Sequence, residues 1–398
     1  MTVINKYLSR YGEPEARVFL NRPLSHSWDQ VLVVPAYGES PACIDNLLGF
    51  TNTLLILVLN HPDTDPDSTR NHALREHLCR YPADQLIEDA NASLRQLGDG
   101  NHVLVIERPR GLPRKQGVGL ARKIGCDASL ALRAHGCIKS DWIHCTDADA
   151  SLPRDYFSAA DAHSNAAALT YRFEHETPTD SRQSSAIALY QSYLQSYVDG
   201  LSFAGSAYAF HTIGSCIAVN AEAYARVRGF PRLAAGEDFY LLNKIAKQGI
   251  VATPNSKPVL LSARLSQRAP FGTGPALIKI LEHDNINELR LFYHPRCFDS
   301  LAAVLGYVKE CASHKTTLTD VEAGLADSPN AFAIIAGLGL GEFLAHAQRQ
   351  CSSQIVFTKQ FHQWFDGFKT LKFIHGAAQF WPKVTANELL QTKKKPHP

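Results

Sequence analysis

Thr53-Leu-Leu-Ile-Leu-Val-Leu59 carries no polar side chain after its first residue. A half-buried strand would alternate polar with apolar positions, so an unbroken aliphatic run describes a strand covered on both faces. Three more short apolar runs accompany it: Val31-Leu-Val-Val-Pro35, His102-Val-Leu-Val-Ile106 and Trp142-Ile-His-Cys145. Helical patterns lie between them. Pro41–Phe50 makes one short helix, and Ser68–Leu97 places Leu74, Leu78, Leu86 and Ile87 on roughly helical spacing. Gly119–Ala134 sets Leu120, Ile124, Ala128 and Leu132 four apart, an amphipathic stripe. Strand–helix alternation of this kind predicts an α/β fold, a mostly parallel sheet flanked by helices. Ligands of such sheets sit at the carboxyl ends of the strands.

Glu39, the turn at Asn60, the basic loop after Ile106 and the acids of Asp147-Ala-Asp149 all fall at those ends. In extended backbone, positions two apart face the same side. Asp147 and Asp149 can therefore converge on one hard divalent cation, whose charge offsets their repulsion. The bland reading of the same residues is a polar turn, with Asp149 or Ser151 capping a helix after Pro153.

Beyond Pro153 the alternation weakens. Ala166–Arg172 and Gly214–Val219 read as strands, and Ser184–Phe203, Ala221–Arg228 and Gly236–Gly249 as helices. From about Thr273 the pattern is helical, so we expect a first domain over residues 1–270 and a mainly helical extension over 271–398. The tail Lys393-Lys-Lys-Pro-His-Pro398 reads as disordered. With 40 basic against 38 acidic residues the net charge is +2, and no global field points to nucleic acid. Nine cysteines are scattered without a C-x-x-C pair, and several sit in apolar runs, as in a reducing compartment. The first residues lack the apolar core of a signal peptide, and no window reads as an integral membrane segment. The longest apolar stretch, Ala331–Ala345, is broken by glycines and Glu342 and reads as a buried helix or loop. A cytoplasmic location is expected.

Four motifs in order resemble the family 2 glycosyltransferases. They are Val33-Val-Pro-Ala-Tyr-Gly-Glu39, Gly117-Val-Gly-Leu-Ala-Arg-Lys-Ile-Gly125, Asp147-Ala-Asp149 and Glu237-Asp238, and the resemblance covers residues 30 to 270. It implies a GT-A fold and transfer of one sugar from a UDP- or GDP-sugar to a hydroxyl acceptor. It also implies a Mn2+ or Mg2+ ion on Asp147 and Asp149, bridging the donor diphosphate. By the same likeness Asp238 is the general base, with inversion, and Glu237 its supporting neighbour. Pro35, Tyr37, Glu39 and Asn60 would line the nucleoside, while Arg122 and Asp147 would serve the nucleotide and diphosphate. Two departures stand out. Asn60 replaces the aspartate that usually holds the nucleobase. The Gln-x-x-Arg-Trp signature of processive synthases is missing, since Ser266-Gln-Arg268 runs into Ala-Pro-Phe.

Other residues rest on their own chemistry. Arg264 and Arg268, with the glycines of Pro270-Phe-Gly-Thr-Gly274, suit a loop that orders over a diphosphate. Arg108, Arg110, Arg114, Lys115, Arg122 and Lys123 put six cations in sixteen residues. His211 and Gly214 are candidates for an acceptor cavity. Asp63, Asp65 and Asp67 imitate a calcium loop but lack its glycine and distal glutamate. Two rival readings are a sugar nucleotidyltransferase, which wants a Gly-rich first loop absent here, and a non-catalytic scaffold on a degenerate fold.

Overall fold

The computed structural model of the chain describes residues 2–47, 49–65, 69–266, 268, 270 and 272–394. Expectations that touch Asp67, Ser68, Phe271 or residues 395–398 lie outside the described residues at those positions. Eleven strands are present among the described residues: β1 (Gln30–Ala36), β2 (Thr53–Leu59), β3 (Ala83–Ile87), β4 (Ala92–Gly98), β5 (Asn101–Glu107), β6 (Trp142–Cys145), β7 (Ala168–Thr170), β8 (Phe173–His175), β9 (Ile217–Asn220), β10 (Val251–Ala252) and β11 (Val259–Leu261). Nine form one sheet in the order β10-β7-β9-β6-β1-β2-β5-β4-β3, while β11 and β8 pair separately. Within that sheet β4 and β9 run against the rest. The fold is therefore α/β with a mostly parallel sheet, as the buried aliphatic runs predict. β2 is buried at every position and occupies the span read from sequence.

Pro35 shows how β1 fits the sheet's centre. Val33 accepts a bond from Thr146 N at 3.1 Å, so residues of that parity face β6. The β6 pairing ends at Val33–Cys145, so Pro35, lacking an N–H, faces a gap and breaks no ladder bond. That gap is where the chain passes from one side of β1 to the other, the switch point that gives such sheets their ligand crevice.

The helix Gly117–Ala134 lies against β1 and β2, and its close approach depends on Gly125. A Cβ there would stand 2.4 Å from Val33 Cγ1. On its far side Asp127, fully buried, accepts from Tyr7 Oη at 2.6 Å, Tyr224 Oη at 2.9 Å, Glu13 N at 3.0 Å and Lys123 Nζ at 2.9 Å. This network fastens the helices Val3–Tyr11 and Pro14–Asn21 to the central helix.

One long helix is not formed. Over Ser68–Leu97 the described residues make the helix His72–Leu78, then the antiparallel pair β3–β4. Pro82 cannot continue a helix, and Asn91 turns the chain at φ 47°. Beyond it Ala92 and Leu94 point inward while Arg95 faces out, a two-residue period. Leu86, counted into the helical stripe, is 65% exposed.

The chain divides into two compact units, residues 1–176 with 212–275, and 177–211 with 276–398. The second includes the helix Ser181–Phe203, which the sequence-based boundary near 270 leaves in the first domain. It is helical, with a core of Cys297, Leu301, Phe343, Phe357, Phe361 and Phe373 among others. The Ala331–Ala345 stretch falls on two helices, Pro329–Gly337 and Leu340–Gln350, bent by 73° at Gly339, whose φ is 91°. Among the described residues no single helix is long and apolar enough to cross a membrane.

Gly125→Val should lose about 1–3 kcal/mol in urea unfolding through overpacking against β1. Gly306→Ala, in the helix Pro295–Glu310, where among the described residues beyond the helix's own backbone an added methyl meets nothing within 4 Å, should gain about 0.5–1 kcal/mol.

Candidate active site

Two turns leave the sheet at its switch point. After β1, Gly38 takes φ 62° and its N–H donates to Asn71 Oδ1 at 2.8 Å. Asn71 Nδ2 in turn donates to Asn60 O at 2.9 Å, and Asn60 Nδ2 to Ala36 O at 3.1 Å. The two asparagines thus stitch the ends of β1 and β2 together and aim Glu39 inward. Asn60 spends its amide on backbone carbonyls. After β6, Thr146 is pinned through Oγ1 to Ser215 O at 2.9 Å, and Ala150 N closes a turn onto Asp147 O at 3.2 Å. Asp147 and Asp149 stand on that turn.

Arg122, 3% exposed, connects this turn to the second acid pair. Its Nη2 donates to Asp147 Oδ1 at 2.6 Å, its Nε to Glu237 Oε1 at 2.9 Å and its Nη1 to Gly214 O at 2.9 Å. All three nitrogens have acceptors, so this arginine holds the acids rather than facing outward. Gly214 admits it: a Cβ there would lie 2.5 Å from Nη2. Glu237 and Asp238 open the helix Glu237–Ile245 after Gly236, which sits at φ 74°. Asp238 Oδ1 accepts from Phe239 N at 2.7 Å. Burial, then the neighbouring Glu237 charge, pushes the Asp238 carboxyl up to about 7. Burial and then Asp147 push Asp149 up to about 6. Glu39 is also raised, by burial first, against the pull of Arg264.

The two loop arginines fold onto these acids. Arg264 meets Glu39 with both terminal nitrogens, at 2.8 and 2.9 Å, and its Nη2 lies 3.0 Å from Asp149 Oδ2. Arg268 Nη1 lies 2.7 Å from Glu39 Oε1 and also donates to the Tyr37 carbonyl. The Tyr37 ring carries Arg70 over its face at 5.5 Å. Asp147, Asp149, Glu237, Asp238, Glu39, Arg122, Arg264 and Arg268 thus belong to one unit and form one connected charge network.

Other candidates fall elsewhere. Arg108 binds Glu13 and Glu15, and Lys123 serves Asp127. The six-cation loop is therefore not one patch. His211 belongs to the second unit, its Nε2 3.2 Å from Gln195 Oε1. Asn71 escapes a reading of the sequence, because a lone asparagine before a short helix carries no distinctive signal. His26, Asp84 and His102 bring possible metal ligands within 4.8 Å of one another at the amino end of the sheet. Trp28 Nε1, however, donates to His102 Nδ1 at 3.1 Å. His26 Nε2 is likewise taken up by Asp84 Oδ2 at 2.8 Å, so hydrogen bonds within the protein account for this cluster.

A hard divalent cation fits the acids after β6: they offer carboxylate oxygens only, and the charge of Asp147 adds to burial in raising the proton affinity of Asp149. Asp147 keeps one oxygen clear of Arg122, and its side chain is 41% exposed. Binding there must draw Asp149 away from Arg264 or share it.

Arg122→Lys should keep one charge but lose the three-way fork, and cost about 3–5 kcal/mol of stability by leaving a buried carboxylate unpaired. Thermal unfolding checks it, and Gly214→Ala, which displaces the same guanidinium, should act in the same direction.

No family model and no curated protein matches the chain. Among solved structures it is similar to a mannosyltransferase from Pyrobaculum calidifontis in complex with GDP-Man and Mn2+, at 16% identity and a TM-score of 0.37, covering 91% of this chain and 94% of that one. A likeness that loose carries no argument about function.

Proposed function

We propose that the chain is a glycosyltransferase, moving one sugar from a nucleoside-diphosphate sugar to a hydroxyl acceptor. The observation that carries this reading is Arg122, one buried side chain that grips both Asp147 and Glu237. An acid turn suited to a cation is thereby joined to a helix start whose next residue, Asp238, has a carboxyl raised to about 7. A base for a sugar hydroxyl needs to be ionised at working pH yet keep a strong hold on a proton, and a value near neutrality serves both. Asp238 takes the acceptor's proton as its oxygen attacks the anomeric carbon, with inversion. Glu237, held in its charged form by the ion pair with Arg122, adds to burial in keeping the proton affinity of Asp238 high.

Asp147 and Asp149 would hold Mn2+ or Mg2+. When bound, such an ion offsets the charge that develops on the departing diphosphate. Arg264 and Arg268 bring a second positive contribution, since their guanidinium forks suit phosphate oxygens as well as they suit Glu39. In this reading a diphosphate draws them from Glu39. The Pro35–Tyr37 edge and Glu39 line the nucleoside. Among UDP- and GDP-sugars, Asn60 in place of an acid leaves the base to be found by screening.

Asp238→Asn should lower kcat by about 10²–10⁴-fold while donor binding persists. In the unaltered protein kcat/KM should rise through an acid limb near pH 7, absent in the variant. Stability should run the other way. A carboxyl whose folded value is raised contributes most below its unfolded value of about 3.9, and that contribution is lost as pH rises through the folded value. Above pH 7, Asp238→Asn should therefore melt at or above the parent temperature.

A thermal-shift screen of nucleotide sugars with and without Mn2+ tests the donor. Stabilisation that needs metal and vanishes in Asp149→Ala supports the reading. Stabilisation by nucleoside triphosphates alone, with pyrophosphate release, would replace it. Calorimetry in buffers of different ionisation enthalpy should show Mn2+ releasing protons near pH 6, because Asp149 must give one up.

A further inference from the structure

A second cavity lies in the same unit, away from the acids. The turn between the helices Val3–Tyr11 and Pro14–Asn21 faces the segment after the helix Ala221–Arg226 across a cleft of about 260 Å³. Arg10, Arg17, Lys123, Arg228 and Arg232 all line it, with Tyr11 and Gly12, and among the described residues no acid does. Lys123 is committed to Asp127 and Arg232 to Glu13, at 2.9 and 2.7 Å. Arg10, Arg17 and Arg228 have no carboxylate partner among the described residues. Lys244 adds to the excess: its proton affinity is lowered by burial and then by Arg228 and Lys123.

Arg10, Arg17, Arg228 and Arg232 are exposed, so solvent screens part of their repulsion, and the protein also fixes where they stand. Arg228 shows what holds one of them. It adopts φ 68°, a left-handed conformation that costs a non-glycine residue on the order of 1 kcal/mol. Gly229 beside it has the same φ, and the Tyr7 and Tyr224 hydroxyls leave no room there for a Cβ. The guanidinium of Arg228 lies over the Tyr11 ring, 4.8 Å from its centre. A stacked guanidinium keeps its N–H edge for other acceptors.

We propose that this cleft is a recognition site for a phosphate-bearing anion, separate from the Asp147–Asp238 centre. Convergent arginine forks match the several oxygens and multiple charge of phosphate better than a single carboxylate. A water occupies about 30 Å³, so the cleft has room for a phosphate or diphosphate. One helix serves both places: Gly117–Ala134 carries Arg122 in the acid centre and Lys123 in the wall of the cleft. Successive helix positions point about 100° apart round the axis, and none of Asp147, Asp149, Glu237 or Asp238 lines the cleft, so it is a neighbour of the acid centre and not a part of it.

The test is calorimetric titration of inorganic phosphate and pyrophosphate without divalent ions, alongside sedimentation with phosphatidylcholine vesicles with and without phosphatidylglycerol. Pyrophosphate should bind more tightly than phosphate, and Arg10→Glu with Arg17→Glu should weaken it by at least about tenfold. Arg228→Gly should weaken it similarly while the melting temperature stays level or rises, because glycine accepts φ 68° without strain. A residue with only a structural role would not separate the two readouts. Capture by phosphatidylglycerol vesicles, reversed by pyrophosphate, identifies a lipid headgroup as the source. Pyrophosphate binding without vesicle capture identifies a soluble phosphate compound. Failure of both probes to bind below about 10 mM, or binding unchanged in the double variant or in Arg228→Gly, overturns the proposal.

Discussion

A single buried guanidinium organises the acid centre. Arg122 is out of water, so its charge must be matched within the protein, and Asp147 and Glu237 do this from two separate segments. Such triads contribute little net stability over apolar packing, but a missing member leaves an uncompensated charge. The value of this one is positional. It ties the turn after β6 to the first turn of the helix Glu237–Ile245, elements distant in sequence, and Gly214 is glycine because that fork passes against it. Burial first, and then the charge of a neighbouring carboxylate, raises the proton affinities of Asp149 and Asp238.

The legible part of this chain is the part whose pattern has one physical solution. The aliphatic run without alternation at β2, and the shorter apolar run at β6, can be buried only inside a covered sheet, and both strands occupy the spans read for them. Ser68–Leu97 misleads because Leu74, Leu78, Leu86 and Ile87 satisfy a helical period by residue type alone. Pro82 and the left-handed Asn91 override that period, and both are local signals visible in the sequence.

The site divides in the same way. That acids follow β6 and open a late helix can be read directly. The direction in which Arg122 faces cannot, because a helix position fixes an angle only once its neighbours are known. Arg264 reaching Glu39 across 225 residues, and Asn71 tying the ends of β1 and β2, are products of tertiary packing with no local trace.

The Asp127 network has a bearing on how the chain comes to be folded. Tyr7 supplies a hydroxyl to an acid 120 residues later, and Tyr224 supplies another from 97 residues further on. The anchor of the helices Val3–Tyr11 and Pro14–Asn21 therefore draws on segments from both sides of residue 127, and it is complete only once Tyr224 is in place. The apolar face with Ile4, Leu8 and Phe19 is buried where these helices pack on the helix Gly117–Ala134 and, for the first of them, on the helix Ala221–Arg226. Loop closure over such a separation is slow relative to local structure. An anchor assembled from such distant segments is thus among the later contacts to form, and until it does the partly folded unit is most exposed to chaperones and to its own copies.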